Sequence, residues 1–364
     1  MAANGPQGVY GMSGGAGETT AGMSPSGSLA GNTIAIPPAS ASAAAGCQQR
    51  APGMVHVRVI ITASGTFEVL RSLTPGPDPG AVAAGVAAGL NVVRARDDGR
   101  LCVEKILLGD TPERKARARA EVAALNQIRK AGMPTFVNAF VDVELIPSIA
   151  HVILEYCDGG DLLGLVKRKQ AEMGMVAEPM AWHVLAGIGK ALHFCHTGIN
   201  ADKPGPPPAD WNTICHLDLK PANVFLSHQG GKNGFPRVVL GDFGCATTWK
   251  DIQSGAAART IQLRGTPGWF PPECTTSSRG GWEGRYGIPT DVWQMGGVIQ
   301  ALCQLMKVPE MGPVGEGRAC GRKYSMELSA VVGACMMADP MQRPEAGDVA
   351  REAKRQLELN GLEF

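Results

Sequence analysis

Two kinds of hydrophobic pattern divide this chain. From Val55 to about Tyr156 short apolar runs alternate with polar residues and are broken by turns. Beyond Asp158-Gly159-Gly160-Asp161, apolar residues recur at helical spacing. The first region predicts a strand pair, Val55 to Ile61 and Phe67 to Leu70, then a hairpin whose second arm is Leu101 to Leu108. Two further strands follow at Phe136 to Val143 and His151 to Tyr156. Between the hairpin and these strands, Thr111-Pro112-Glu113 starts a helix that runs to about Lys130, with a cap, a proline in the first turn and an acid after it. The second region predicts helices over Met180 to His196, Val292 to Leu305, Glu327 to Met337 and Gly347 to Leu359.

Polar residues inside these apolar patterns are the informative ones. Alternation puts Lys105 with Val103 on the face of its strand that is otherwise core, where an ammonium needs a partner or an anion. In the helix that follows, Glu121 shares a stripe with Ala118, Leu125 and Ile128, and the two are natural partners; the bland alternative is a solvated Glu121 at the edge of the stripe. The stretch Cys215 to Leu226, C-H-L-D-L-K-P-A-N-V-F-L, places Asp218, Lys220 and Asn223 between apolar flanks, so these groups face a wet or ligand-filled cleft. A hairpin of Val224 to Leu226 with Arg237 to Leu240 brings Asn223 and Asp242 together at one end. Their amide and carboxylate oxygens are hard ligands suited to Mg²⁺ on a phosphate.

Composition narrows the class. At 364 residues and a formal net charge of +1, the chain has ample apolar content for a large core and no global charge that draws nucleic acid. It contains no apolar run long enough to span a bilayer and no signal-peptide pattern, which predicts an intracellular protein, cytoplasmic or nuclear. Ten scattered cysteines without C-x-x-C spacing argue against structural zinc and a disulfide framework. Residues 1–53, rich in Gly, Ala, Ser and Pro, read as a disordered tail ahead of a globular region over 54–364. Ala201 to Trp211 is an irregular insert, and Cys245 to Gly268 reads as a mobile loop.

In order along the chain, V-E-K at Val103 to Lys105, Glu121, L-E-Y-C at Leu154 to Cys157 and H-L-D-L-K-P-A-N at His216 to Asn223 resemble a eukaryotic-type protein kinase. So do D-F-G at Asp242 to Gly244, G-T-P-G-W-F-P-P-E at Gly265 to Glu273, D-V-W-Q-M-G at Asp291 to Gly296 and Q-R-P at Gln342 to Pro344. The resemblance covers roughly Phe67 to Leu359. It implies an α+β, two-lobed fold: a small antiparallel β lobe with one helix, about 67–156, and a larger helical lobe, about 159–359, with ATP and Mg²⁺ between them.

By resemblance, Lys105 holds the ATP phosphates and Glu121 orients it, Asp218 is the base, Lys220 steadies the transferred charge, and Asn223 with Asp242 holds Mg²⁺. Gly85 and Gly89 cover the phosphates, Val103 packs on the adenine, Leu154 is the gatekeeper, Glu155 and Cys157 offer backbone groups, and Asp161 reaches the ribose. Glu273 with Arg343 and Asp291 are structural. D-L-K-P-A-N and Thr266 resemble the serine/threonine class, with a protein hydroxyl as acceptor.

Two features depart from the family pattern. Gly85 and Gly89 do not form the usual G-x-G-x-x-G, and Leu217 stands where the family has Arg. Leucine cannot pair with a phosphorylated loop residue, so activity is expected not to require phosphorylation at Thr247, Thr248, Ser254 or Thr260. The competing readings are a pseudokinase scaffold with little transfer and a small-molecule phosphotransferase of the aminoglycoside or choline type. The complete catalytic set opposes the first, and Lys220 with the P-P-E segment and Arg343 opposes the second.

Overall fold

The computed structural model describes residues 58–74, 88–203, 205–254, 265–275, 287–310 and 318–364. The tail, Gly85 and Thr260 lie outside them. Strands β1 (Val59–Thr62), β2 (Gly65–Ser72), β3 (Gly89–Ala95), β4 (Leu101–Leu108), β5 (Phe140–Ile146) and β6 (Ile149–Glu155) form an antiparallel sheet in the order β1-β2-β3-β4-β6-β5. The first strand is shorter than its alternating pattern suggests, and its expected start at Val55 lies outside the described residues. The strand expected from Phe136 begins instead at Phe140. Phe136 and Val137 are buried in a turn that joins the lobes, where the Leu240 N–H donates to the Phe136 carbonyl at 2.9 Å.

Helix α1 (Pro112–Lys130) packs on this sheet. Thr111 caps it by accepting from the Arg114 N–H, Glu113 lies in the first turn, and Arg129 and Lys130 lie in the last, which complements the helix dipole at both ends.

After the sheet, α2 (Leu162–Ala171) and the long α3 (Glu178–Thr197) open the helical lobe. Helix α3 is buried on nearly every side because it runs through the lobe's centre. Gly187 and Gly189 let β9 and the C-terminal helix approach it: a Cβ at Gly187 would stand 2.6 Å from that of Val238. The lobe continues with β7 (Ile214–Cys215), β8 (Val224–Lys232), β9 (Phe235–Leu240), β10 (Thr247–Thr248), α4 (Trp249–Gln253) and α5 (Pro272–Thr275). It ends with α6 (Ile288–Gln304), α7 (Met326–Cys335) and α8 (Ala346–Leu359). The insert after α3 packs against that helix through Trp211, whose indole N–H donates to the Cys195 carbonyl at 3.1 Å and whose ring meets Phe194 edge-on.

The segment after Gly244 is not all loop. It forms β10, which pairs with β7, and then α4, capped by Thr248. Periodicity could not reveal either, because each is very short and is held by tertiary contacts. Cys102, Cys195 and Cys303 are buried free thiols, as expected of small core residues; Cys157 is half-buried.

Candidate active site

The register Val224↔Leu240 places the end of β8 beside the end of β9, and the Gly241 N–H donates to the Asn223 carbonyl at 3.0 Å. This brings Asn223 and Asp242 to one end of the hairpin, as the sequence predicts. Asp242 has φ 61°, in the left-handed region that Asp tolerates better than most residues.

Lys105 lies in the middle of β4, opposite Leu90 of β3 and Val152 of β6, and is buried. Its Nζ is 2.6 Å from Glu121 Oε1 and 2.6 Å from Asp242 Oδ1. Glu121 is therefore a buried partner and not a solvated edge residue.

The charges respond to this crowding. Burial alone would lower the Lys105 pKa, but Asp242 and Glu121 outweigh it, and the ammonium stays protonated well above the usual lysine range. Burial pushes the Asp242 carboxyl up, yet the Lys105 charge and hydrogen bond prevail and hold it at about 2. Glu121 moves the other way although it shares the same ammonium. For Glu121 desolvation, with the neighbouring Asp242 charge, outweighs the attraction of Lys105, whereas Asp242 also has Lys220 close by.

On the floor of the cleft, Asp218 is buried and fixed through both oxygens. Thr266 Oγ1 donates to Oδ1 at 2.7 Å, and Lys220 Nζ donates to Oδ2 at 2.7 Å and to Thr266 Oγ1 at 2.6 Å. The Asn223 amide N–H₂ donates to the Asp218 carbonyl at 2.8 Å, which leaves its oxygen as the end offered to a ligand. Asp291 anchors the loop from α6, accepting from the backbone N–H groups of His216 at 2.8 Å and Leu217 at 2.7 Å, with His196 Nε2 at 3.0 Å.

Leu217 is fully buried with φ 63°. It packs with Cys215 and Cys274 against Trp249, Ile252, Phe270 and Ile288. Glu273 and Arg343 form a two-pronged pair at 2.8 and 2.7 Å, which ties α5 to the segment before α8.

The residues linking the lobes are partly engaged. The Glu155 N–H donates to the Ala139 carbonyl at 2.9 Å, and its own carbonyl accepts from Asn138 Nδ2 at 3.2 Å. Burial, with Glu155 nearby, pushes the Cys157 thiol up to about 12. Leu154 pairs with Val103 across β4 and β6. Asp161 Oδ1 caps α2, accepting from the Gly164 N–H at 2.7 Å. Gly89 begins β3, opposite Ile106.

Sequence reasoning missed two groups. Glu104 is fully buried on the outer face of the sheet, with His151 Nδ1 at 2.6 Å, Asn91 Nδ2 at 2.7 Å and Arg58 as a further partner. Asn138, behind Glu155, is buried and its Oδ1 has no partner among the described residues. The signal for Glu104 was present, since it alternates with Cys102 in an apolar strand.

The model of the protein kinase domain matches residues 84–353, well over half of the chain. This chain belongs to the protein kinase domain family. The kinase is similar to the G2-specific protein kinase nimA of Emericella nidulans, 30% identical over 239 residues, 58% of this chain and 32% of that protein. It is also similar to the human serine/threonine-protein kinase Nek2, 27% identical over 293 residues, 75% of this chain and 60% of the relative. The probable serine/threonine-protein kinase nek2 of Dictyostelium discoideum is likewise 27% identical, over 281 residues. The chain thus spans between about a third and three fifths of the length of these relatives. Among its described residues, no helix is long and apolar enough to cross a membrane.

Proposed function

We propose that this kinase is a serine/threonine protein kinase that transfers the γ-phosphoryl group of Mg-ATP to a hydroxyl of a protein substrate. The observation that carries the reading is Lys105, held 2.6 Å from both Glu121 and Asp242 in the cleft above Asp218. An ammonium fixed by two carboxylates, one of them half-open to solvent, suits a polyanion that arrives with its own cation.

The donor set fits Mg-ATP. Asn223 offers an amide oxygen and Asp242 a partly exposed carboxylate, both hard ligands. Bound Mg-ATP supplies the phosphoryl group and the metal charge that makes it electrophilic. Lys105 holds phosphate oxygens and Glu121 keeps the ammonium pointed at them. Val103, Leu154, Glu155, Cys157 and Asp161 form the nucleoside side of the cleft, and Gly89, at the start of β3, lies on the phosphate side.

Asp218 takes the proton of the incoming hydroxyl. Its bonds to Thr266, Lys220 and Asn223 fix its position beforehand, so little reorganisation is needed. Lys220 stands beside it to balance the charge that develops on transfer. The Thr266 link and the D-L-K-P-A-N stretch support the serine/threonine class. On this reading the kinase domain occupies 54–364 and the protein acts inside the cell.

Transfer of labelled γ-phosphate from Mg-ATP to a mixed Ser/Thr peptide pool tests this, with Asp218→Asn as control. The wild type is expected to transfer, and the variant to fall by about 10²–10⁴-fold. A folded wild type that transfers nothing is a pseudokinase scaffold. Transfer to a sugar or amino alcohol but to no peptide makes it a small-molecule phosphotransferase.

A further inference from the structure

A second cleft, of about 380 Å³, opens on the helical lobe outside the catalytic constellation. Its floor is apolar: Leu165 of α2, Val176 and Met180 at the start of α3, and Leu226 of β8. Its rim is basic, with Arg168, Lys169 and His228, and no carboxylate lines it. We propose that this cleft is a docking site for a segment of a partner protein in which an aliphatic side chain is flanked by acidic residues.

The cleft is a rigid fixture. Glycine at 159 is required where the chain from β6 crosses to α2, because a Cβ there would stand 2.9 Å from the Leu226 side chain; the Gly159 N–H donates to the Leu226 carbonyl at 2.9 Å. Pro236 forms the far wall, and its carbonyl meets His183 Nε2 at 2.8 Å. At the mouth Met175 is 43% exposed, an adaptable thioether able to follow the shape of an aliphatic guest. The volume is at the small end of the range of about 300–1,000 Å³ for ligand clefts, room for an anchor side chain and its neighbours.

Charge decides the occupant. Arg168 forms no ion pair among the described residues, and Lys169 reaches only the exposed Glu172, at 2.8 Å. An exposed pair of that kind is worth little, so an incoming acid displaces it readily. Asp158 is exposed beside the cleft without lining it, and its Oδ1 is taken by the His228 backbone N–H at 2.7 Å. The chain's own N-terminal stretch is a poor fit, since Glu18 is the only acid between Met1 and Val57.

The test is selection of a random displayed peptide library on the full chain, followed by fluorescence polarisation of the enriched peptides. Enriched peptides are expected to carry a Leu, Ile or Met beside Asp or Glu. Their Kd is expected to rise at least tenfold in the Arg168→Glu/Lys169→Glu double variant and in Met175→Glu, and to rise with salt. All three positions are at the surface, so the variants should retain the wild-type circular dichroism and melting temperature. No enrichment overturns the proposal, as does enrichment of peptides whose affinity ignores these substitutions or of basic peptides. Binding needs no nucleotide and no transfer, so its failure is separate from failure of the catalytic reading.

Discussion

At Lys105 three residues from three elements share one charge, and their titration exposes the arrangement. Asp242 has a carboxyl held at about 2 against an ordinary 3.8. A depressed folded pKa gives stability that is present above about pH 4 and is lost as pH falls through about 2. Glu121, pushed upward by burial, contributes with the opposite sign, because its ionised form is the costly one. Asp242→Asn should therefore flatten the loss of stability between pH 4 and pH 2. Urea midpoints at pH 2, 3, 4 and 5 for both proteins measure it, and equal slopes would sink the assignment. Asp242 and Leu217 both have positive φ, near 60°, and are held there by surrounding bonds: Lys105 on one, Asp291 on the other. Such strain is kept where the neighbours over-determine it.

The elements β10 and α4 bear directly on activation. In place of a cation for a phosphate, Leu217 offers a methyl surface to Trp249 and Ile252 of α4 and to Phe270. Burial holds β10 and α4 against the His216 to Asn223 stretch without any added charge. Thr247 is buried in β10, and Thr248 caps α4, accepting from the Asp251 N–H at 3.2 Å. Alanine at Thr248 would thus cost about 1 kcal/mol of local stability whatever the role of phosphate. The informative variant is Ser254→Ala/Thr260→Ala, expected to retain wild-type transfer to a peptide in protein freed of phosphate. A loss above tenfold in the folded double variant would show that the segment needs phosphorylation after all.

On the scale of the whole molecule, removing residues 1–53 is expected to leave the melting temperature and the transfer rate unchanged, measured on purified full and shortened chains. A fall of several degrees would assign the tail a place in the fold. The sequence by itself determined the two lobes, most of their longer elements and which polar residues meet in the cleft, because each rests on local rules. Alternation put Lys105 inward, helical spacing put Glu121 on the buried stripe, and one hairpin joined Asn223 to Asp242. Tertiary structure alone decided what depends on residues far apart in the chain. Glu104 is buried because Arg58, Asn91 and His151 converge on it, Asp218 is fixed by Thr266 from a distant segment, and Leu217 finds Trp249 and Phe270. The docking cleft belongs there too, since α2, α3, β8 and β9 each supply one wall. A pattern along the chain records which face of an element is covered. Only the packing of distant elements settles what covers it.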